Sequence, residues 1–197
     1  MENNELSEDQ GRWLALQTGD KEALAYFFNT FMGSLYNYGL KFTQDEDVIE
    51  DTIQDLFIRL WDTRKRLSLP ASVRNYLFKA FRNLLFRKLS RAEKTSRYAS
   101  QYIFLDIEYS AETNHINAEL QIARDKRLET ALQKLPVRQK EAIYLRFYEN
   151  ASYEEIAQIM GTTVKACYKN VFRALSCLRE TLITVITYLF FRLFFLN

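Results

Sequence analysis

Lys165, Lys169, Asn170 and Arg173 fall within nine residues of one another, in the segment SYEEIAQIMGTTVKACYKNVFRAL (152–175). On a helix they share an exposed side. Ammonium, carboxamide and guanidinium groups so placed can donate to phosphate oxygens and to base edges in a major groove. A second group, Arg74, Asn75, Lys79, Arg82, Asn83 and Arg87, lies in RNYLFKAFRNLLFRKLSR (74–91), interleaved with Tyr76, Phe78, Phe81 and Phe86. Positive charge attracts a phosphate backbone, and amides and aromatic rings nearby can hold unpaired bases. Some of those rings must instead fill a core, the usual fate of an aromatic stripe. Both groups can bind, but neither can make or break a covalent bond. His115 is the single histidine and sits in a polar stretch, with no glycine-rich phosphate loop, no metal-spaced Cys/His cluster and no nucleophile–base pairing elsewhere. The expectation is a binding protein rather than an enzyme, with no metal, no cofactor and no small-molecule substrate.

The elements that position these residues are helices. Only 5 Gly and 2 Pro occur in 197 residues, too few for the turns of a strand-rich fold. A short helix is expected over 6–17. A longer one follows an Asp20 N-cap and runs to about Phe42, with Leu24, Phe27, Phe28, Phe31, Leu35 and Tyr38 inward. Ile49, Ile53, Leu56 and Leu60 define a helix over 45–61. Pro70 suits the first turn of the next helix, which runs to about Arg91 with Tyr76, Leu77, Phe81, Leu84 and Leu85 inward. These helices can form one bundle. Residues 98–118 are acidic, free of Lys and Arg and weakly periodic, and read as a linker between domains. A second helical unit follows, with helices over 119–135, 137–148 and 153–160, a turn at 161–163 and a last helix from Val164 onward.

The 153–175 segment reads as a helix-turn-helix. Ala157 is the small residue where two helices cross, and Gly161, four residues on, suits the left-handed end of the first. Ile156, Met160, Val164, Cys167 and Val171 take inward positions. The bland reading is a helical hairpin with a solvated basic face, and the spacing favours DNA.

The net charge of +2 hides two blocks. Residues 43–62 carry Asp45, Glu46, Asp47, Glu50, Asp51, Asp55 and Asp62 against Arg59 alone. Residues 64–97 carry eleven Lys and Arg against Glu93 alone. Such blocks suggest separate surfaces for separate partners. Cys167 and Cys177 stand roughly 15 Å apart on one helix, beyond the about 7 Å limit of a disulfide. Free thiols and a polar, acidic 1–10 without a secretory signal point to the cytoplasm.

DVIEDTIQDLFIRLW (47–61) with the basic aromatic helix resembles the second region of bacterial sigma factors. LPVRQKEAIYLRFYENASYEEIAQIMGTTVKACYKNVFRALSCLRE (135–180) resembles their fourth region. In this order, with an acidic linker, the chain is similar to an extracytoplasmic-function (ECF) sigma factor of RNA polymerase over about 20–180. The resemblance implies an all-α chain of two small helical domains: a region 2-like domain at 1–97, a linker at 98–118, a region 4-like domain at 119–180 and an apolar tail at 181–197. It implies that Gln54 and Asp55, with Asp51 and Ile58 on the same face, dock on a coiled coil of the largest polymerase subunit. The set Arg74, Asn75, Lys79, Arg82, Asn83 and Arg87 then holds the melted −10 element, with Arg82-Asn83 matching a family pair. The loop 63–72 sits where family members capture a flipped base. Thr163, Lys165, Ala166, Lys169, Asn170 and Arg173 read the −35 duplex, with Arg138 and Arg146 on phosphates. The run Ala166-Cys167-Tyr168 departs from the Thr-Val and polar residue expected there.

The tail repeats Leu182, Ile186, Leu189, Leu193 and Leu196 at spacings of four and three, with further apolar residues between. It contains Arg192 and is short of the roughly 20 residues a membrane span needs. Packing on the chain's own domains, docking of an anti-sigma factor or another DNA-targeting partner, and membrane contact are the alternatives. The competing function is a helix-turn-helix regulator that works without polymerase. It leaves the acidic and basic helices without a purpose.

Overall fold

The computed structural model describes residues 7–95, 131–132 and 134–195, with side chains described to 91 and to 179 in the two stretches. Among the described residues there are seven α-helices, one 3₁₀ turn and no strand. They are α1 (Glu8–Thr18), α2 (Lys21–Gly39), α3 (Glu46–Thr63), a 3₁₀ turn (Arg64–Arg66), α4 (Val73–Thr95), α5 (Val137–Phe147), α6 (Tyr153–Met160) and α7 (Val164–Phe195). The chain divides into two compact units, 1–102 with 158–161 and 103–157 with 162–197. The expected linker and most of the expected 119–135 helix lie outside the described residues. Residues 131, 132 and 134 are helical, and Leu135 ends the turn before Pro136.

Local chemistry sets the starts of the first helices. Ser7 accepts from the Gln10 amide while the Gln10 side chain accepts from the Ser7 N–H, a reciprocal pair that begins α1. Asp20 accepts from Glu22 N at 2.8 Å and Asp45 from Val48 N at 3.2 Å. Each cap satisfies an amide that has no partner within its helix, worth about 1 kcal/mol. Pro70 does not open α4. Ser72 does, accepting from Asn75 N at 3.2 Å, because its hydroxyl supplies the acceptor that a proline ring lacks. Helix α2 stops at Gly39, three residues short of expectation, and 40–42 continue as a turn.

The core of the first unit is aromatic and follows the expected stripes. Phe27, Leu35, Tyr38, Ile49, Leu77 and Phe81 are fully buried, and Ile53, Leu56 and Leu60 nearly so. Tyr38 packs on Phe42 edge-on at 5.1 Å and on Phe78 at 5.3 Å. Leu24, Phe28 and Tyr76, expected inward, are only half-buried. Gly39 has a packing reason. A Cβ there would lie 2.8 Å from Ile49 Cγ2 and 3.2 Å from Phe81 Cζ, so its absence lets α2 approach α3 and α4.

Later in the chain, α6 opens on another reciprocal cap. Ser152 N donates to Glu155 Oε2 at 2.7 Å and Glu155 N to Ser152 Oγ at 3.2 Å. Gly161 takes φ +61 and Thr162 N reaches back to Ala157 O at 3.0 Å, which closes α6 and redirects the chain. Thr163 then caps α7, accepting from Ala166 N at 3.2 Å. Ile156, Ala157, Met160, Cys167 and Val171 are buried as expected, with Val164 half-buried. Helix α7 continues through the apolar tail to Phe195 without interruption.

Candidate polymerase and DNA interfaces

Helix α3 turns its acidic stripe to solvent. Asp51, Gln54 and Ile58 are exposed and Asp55 is half-buried, at the i, i+3, i+4, i+7 spacing of one helix face. Ile58 is 59% exposed, an apolar side chain left in water among carboxylates. Lys88 of α4 leans onto this face, within 3.0 Å of Asp55. Sequence reasoning placed Lys88 only in the basic run. Nothing in a sequence pattern reveals a pair formed between two helices.

Helix α4 carries the second set. Lys79, Asn83 and Arg87 are exposed, and the Arg87 Nε donates to Asn83 O at 3.2 Å. Arg74 lies over the Phe78 ring at 4.9 Å and Arg82 over Phe86 at 4.6 Å, and both residues are half-buried. Asn75 differs from the rest of its set, being 4% exposed. Of the interleaved rings, Phe78 and Phe81 are fully buried, while Tyr76 and Phe86 are half-buried. Burial raises the pKa of Tyr76.

The loop between α3 and α4 is held from several directions. Arg64 stacks on Trp61 at 3.9 Å and bonds its carbonyl at 2.6 Å. Three side chains of α1 reach loop carbonyls: Gln10 to Pro70 O at 3.5 Å, Trp13 Nε1 to Ser68 O at 3.2 Å, and Gln17 to Leu67 O.

On α7, Thr163, Lys165, Lys169 and Arg173 are exposed, and Ala166 and Asn170 are half-buried. Of the unusual run 166–168, Cys167 points into the core and only Tyr168 is open, at 53%. Its ring stacks on Tyr153 at 3.6 Å with 21° between planes, and Arg146 lies 5.1 Å over the other ring of the pair, Tyr153. Arg146 also donates to Ala151 O at 2.9 Å, so it braces the bend before α6 as well as carrying charge. Arg138 is exposed at the start of α5. Burial, then the charge of Glu141, raises the pKa of the Cys167 thiol. Burial lowers that of Lys140. Cys167 and Cys177 form no disulfide. No group of metal-binding side chains occurs among the described residues, and no described helix is long and apolar enough to cross a membrane.

Two regions of the chain match models of known sequence families. Residues 27–95 match sigma-70 region 2 and residues 125–178 match sigma-70 region 4, together more than half of the chain. The chain therefore belongs to the sigma-70 family, as a sigma factor of the ECF type that directs transcription initiation. It is 25% identical over 167 residues to the probable RNA polymerase sigma factor RfaY of Xanthomonas campestris, covering 84% of this chain and 42% of that longer protein. It is 24% identical over 144 residues to the RNA polymerase sigma factor SigV of Bacillus subtilis, covering 73% and 81% of the two chains. In fold it is similar to CnrH, solved in complex with the cytosolic domain of CnrY. There the TM-score is 0.63 and the identity 22%, over 90% of this chain and 99% of the other.

Proposed function

We propose that the three surfaces divide the work of initiation. The α3 face of Asp51, Gln54, Asp55 and Ile58 docks on a basic coiled coil of the polymerase largest subunit. Carboxylates repel DNA, so a protein partner suits this face, and exposed Ile58 supplies an apolar contact at its C-terminal end. Arg74, Lys79, Arg82, Asn83 and Arg87 of α4, without the buried Asn75, hold the −10 strand once it is unpaired, through guanidinium groups on phosphates and Asn83 on a base. The α7 set, Thr163, Lys165, Ala166, Lys169, Asn170 and Arg173, reads the −35 duplex in its major groove, with Arg138 and Arg146 near phosphates. The chain performs no catalysis, which the polymerase supplies, and it acts in the cytoplasm. An anti-sigma factor is the natural regulator, since covering α3 or α7 suffices to silence the protein.

The observation that carries this reading is the segregation of charge on adjacent helices of one unit. Acidic α3 and basic α4 offer opposite chemistry to two partners at once. A regulator that used only its helix-turn-helix gives neither helix a task. The test is transcription in vitro with core polymerase and a promoter library. The reading predicts initiation from a defined promoter subset, and failure to bind core or to direct any start site rejects it. Gln54→Ala with Asp55→Ala should weaken core binding about tenfold or more, the loss of charged hydrogen bonds at an interface.

A further inference from the structure

Helix α1 precedes the segment matched to region 2, which begins at residue 27. Yet it makes a set of contacts that packing alone does not require. Gln10, Trp13 and Gln17 recur at spacings of three and four, one stripe along the helix. All three donate side-chain N–H groups to carbonyls of a single loop: Pro70, Ser68 and Leu67 respectively. Each bond joins residues 50 to 60 positions apart. Gln10 uses both ends of its amide, since its Oε1 accepts from Ser7 N while its Nε2 reaches Pro70. Trp13 is fully buried and wedged edge-on against Tyr76 of α4 at 5.0 Å.

The loop so held has no secondary structure of its own over 67–70. Its carbonyls would otherwise look to water, and its backbone would sample many shapes. With the carbonyls drawn to α1, the side chains of Ser68 and Leu69 are left exposed, directly after the basic turn Arg64–Arg66. Ser72 anchors the far end by capping α4.

We propose that α1 is a positioning element that presets the 67–70 loop for capture of an unpaired −10 base. This rests on the reading above that the loop lies where a base leaves the stack. Unstacking a base is unfavourable, and a pocket whose shape exists beforehand offsets it better than one that must order on contact. The entropy of ordering the loop is lost during folding rather than at the promoter. Gln10, Trp13 and Gln17 themselves touch no DNA and act through the backbone they hold.

The experiment uses the full chain with core polymerase and a promoter carrying 2-aminopurine at single −10 positions. The variant is Gln10→Met with Gln17→Met, which keeps side-chain length and removes both donors. Trp13→Phe is the second variant, keeping an aromatic ring and removing the N–H together with part of the buried indole. The expected result is core binding unchanged for both, with a melting temperature close to wild type for the double glutamine variant and a lowered one for Trp13→Phe, whose smaller ring leaves a cavity. Open-complex formation should fall about tenfold, as for one or two lost hydrogen bonds. Preference among the four bases at the captured position should narrow. On a template whose −10 strand is already unpaired, the rate should recover while the narrowed preference persists. Weakened core binding with base preference intact would mean that α1 only supports the fold, and overturns the proposal. If the wild-type chain shows neither a 2-aminopurine signal nor a base preference at any −10 position, the loop captures no base. In that case the underlying reading falls and takes the proposal with it.

Discussion

Lys88 spans two helices, its Nζ 3.0 Å from Asp55 Oδ2 and 4.0 Å from Asp51 Oδ2. Both carboxylates belong to the face assigned to polymerase. Asp51 is largely exposed and Lys88 about a third so, which makes this a surface pair, worth roughly 0–1 kcal/mol. Its larger consequence is electrostatic. One ammonium from α4 neutralises part of the acidic stripe that a basic partner would approach. Lys88→Met should therefore leave the melting temperature nearly unchanged. It should speed association with core polymerase at low salt and steepen the salt dependence. Stopped-flow association across ionic strength measures this, and a slower on-rate at every salt concentration contradicts it.

Two glycines should respond to alanine for different reasons. Gly39→Ala places a methyl 2.8 Å from Ile49 Cγ2, and overpacking of this kind costs about 1–3 kcal/mol. Gly161→Ala meets no atom within 4 Å but must hold φ +61, which costs an L residue about 1–2 kcal/mol. Hydrogen exchange tells them apart. The first should lower protection in α2, α3 and α4, and the second in α6 and the start of α7.

The reciprocal cap at the start of α6 gives a third prediction. Ser152→Ala removes the acceptor for Glu155 N and should cost about 1 kcal/mol in denaturant unfolding. Ser152→Asp should recover most of it. Promoter affinity should fall with Ser152→Ala even though Ser152 is not placed on DNA, because α6 sets the approach of α7.

Cys167 sets a pH trend. Its buried thiol has a raised pKa, so the folded chain keeps the proton over a range in which the unfolded thiol, near 9.0, gives it up. This contribution is complete below the unfolded value and is lost as pH rises through the raised folded value. Denaturant unfolding should show stability declining above about pH 9, the thiol's ordinary range. Cys167→Ala should show a shallower decline from a lower starting stability. With a thiol reagent at neutral pH, exposed Cys177 should react promptly and Cys167 only on unfolding.

Much of this was legible in the residues. Asp20 marked a helix start because a short acceptor before an apolar stripe is a local signal, and Ile49, Ile53, Leu56 and Leu60 showed their face through spacing alone. The turn at Gly161 was legible for the same reason. Pro70 misled because a proline can open a helix or precede one, and the Ser72 hydroxyl decided it. The bonds from Gln10, Trp13 and Gln17 to the loop could not be read, since a side chain reaching a carbonyl 50 or more positions away leaves no periodicity. The same holds for Lys88 on α3. Tyr168 was visible only as a departure from a family pattern. Its stack on Tyr153 gives the departure a physical basis, a ring paired with another and still half open to solvent on α7.

Helix α7 has a mechanical consequence. It runs 32 residues from Val164 to Phe195 with neither glycine nor proline inside it, about 48 Å at the helical rise. Kinks arise mostly at proline and glycine, and here there is none to act as a hinge. The groups proposed above to read DNA occupy one end of a continuous shaft, and the apolar tail is its other end. On that reading, a twist applied near Phe195 would arrive at Lys165 as a rotation of the face that carries Lys165, Lys169 and Arg173.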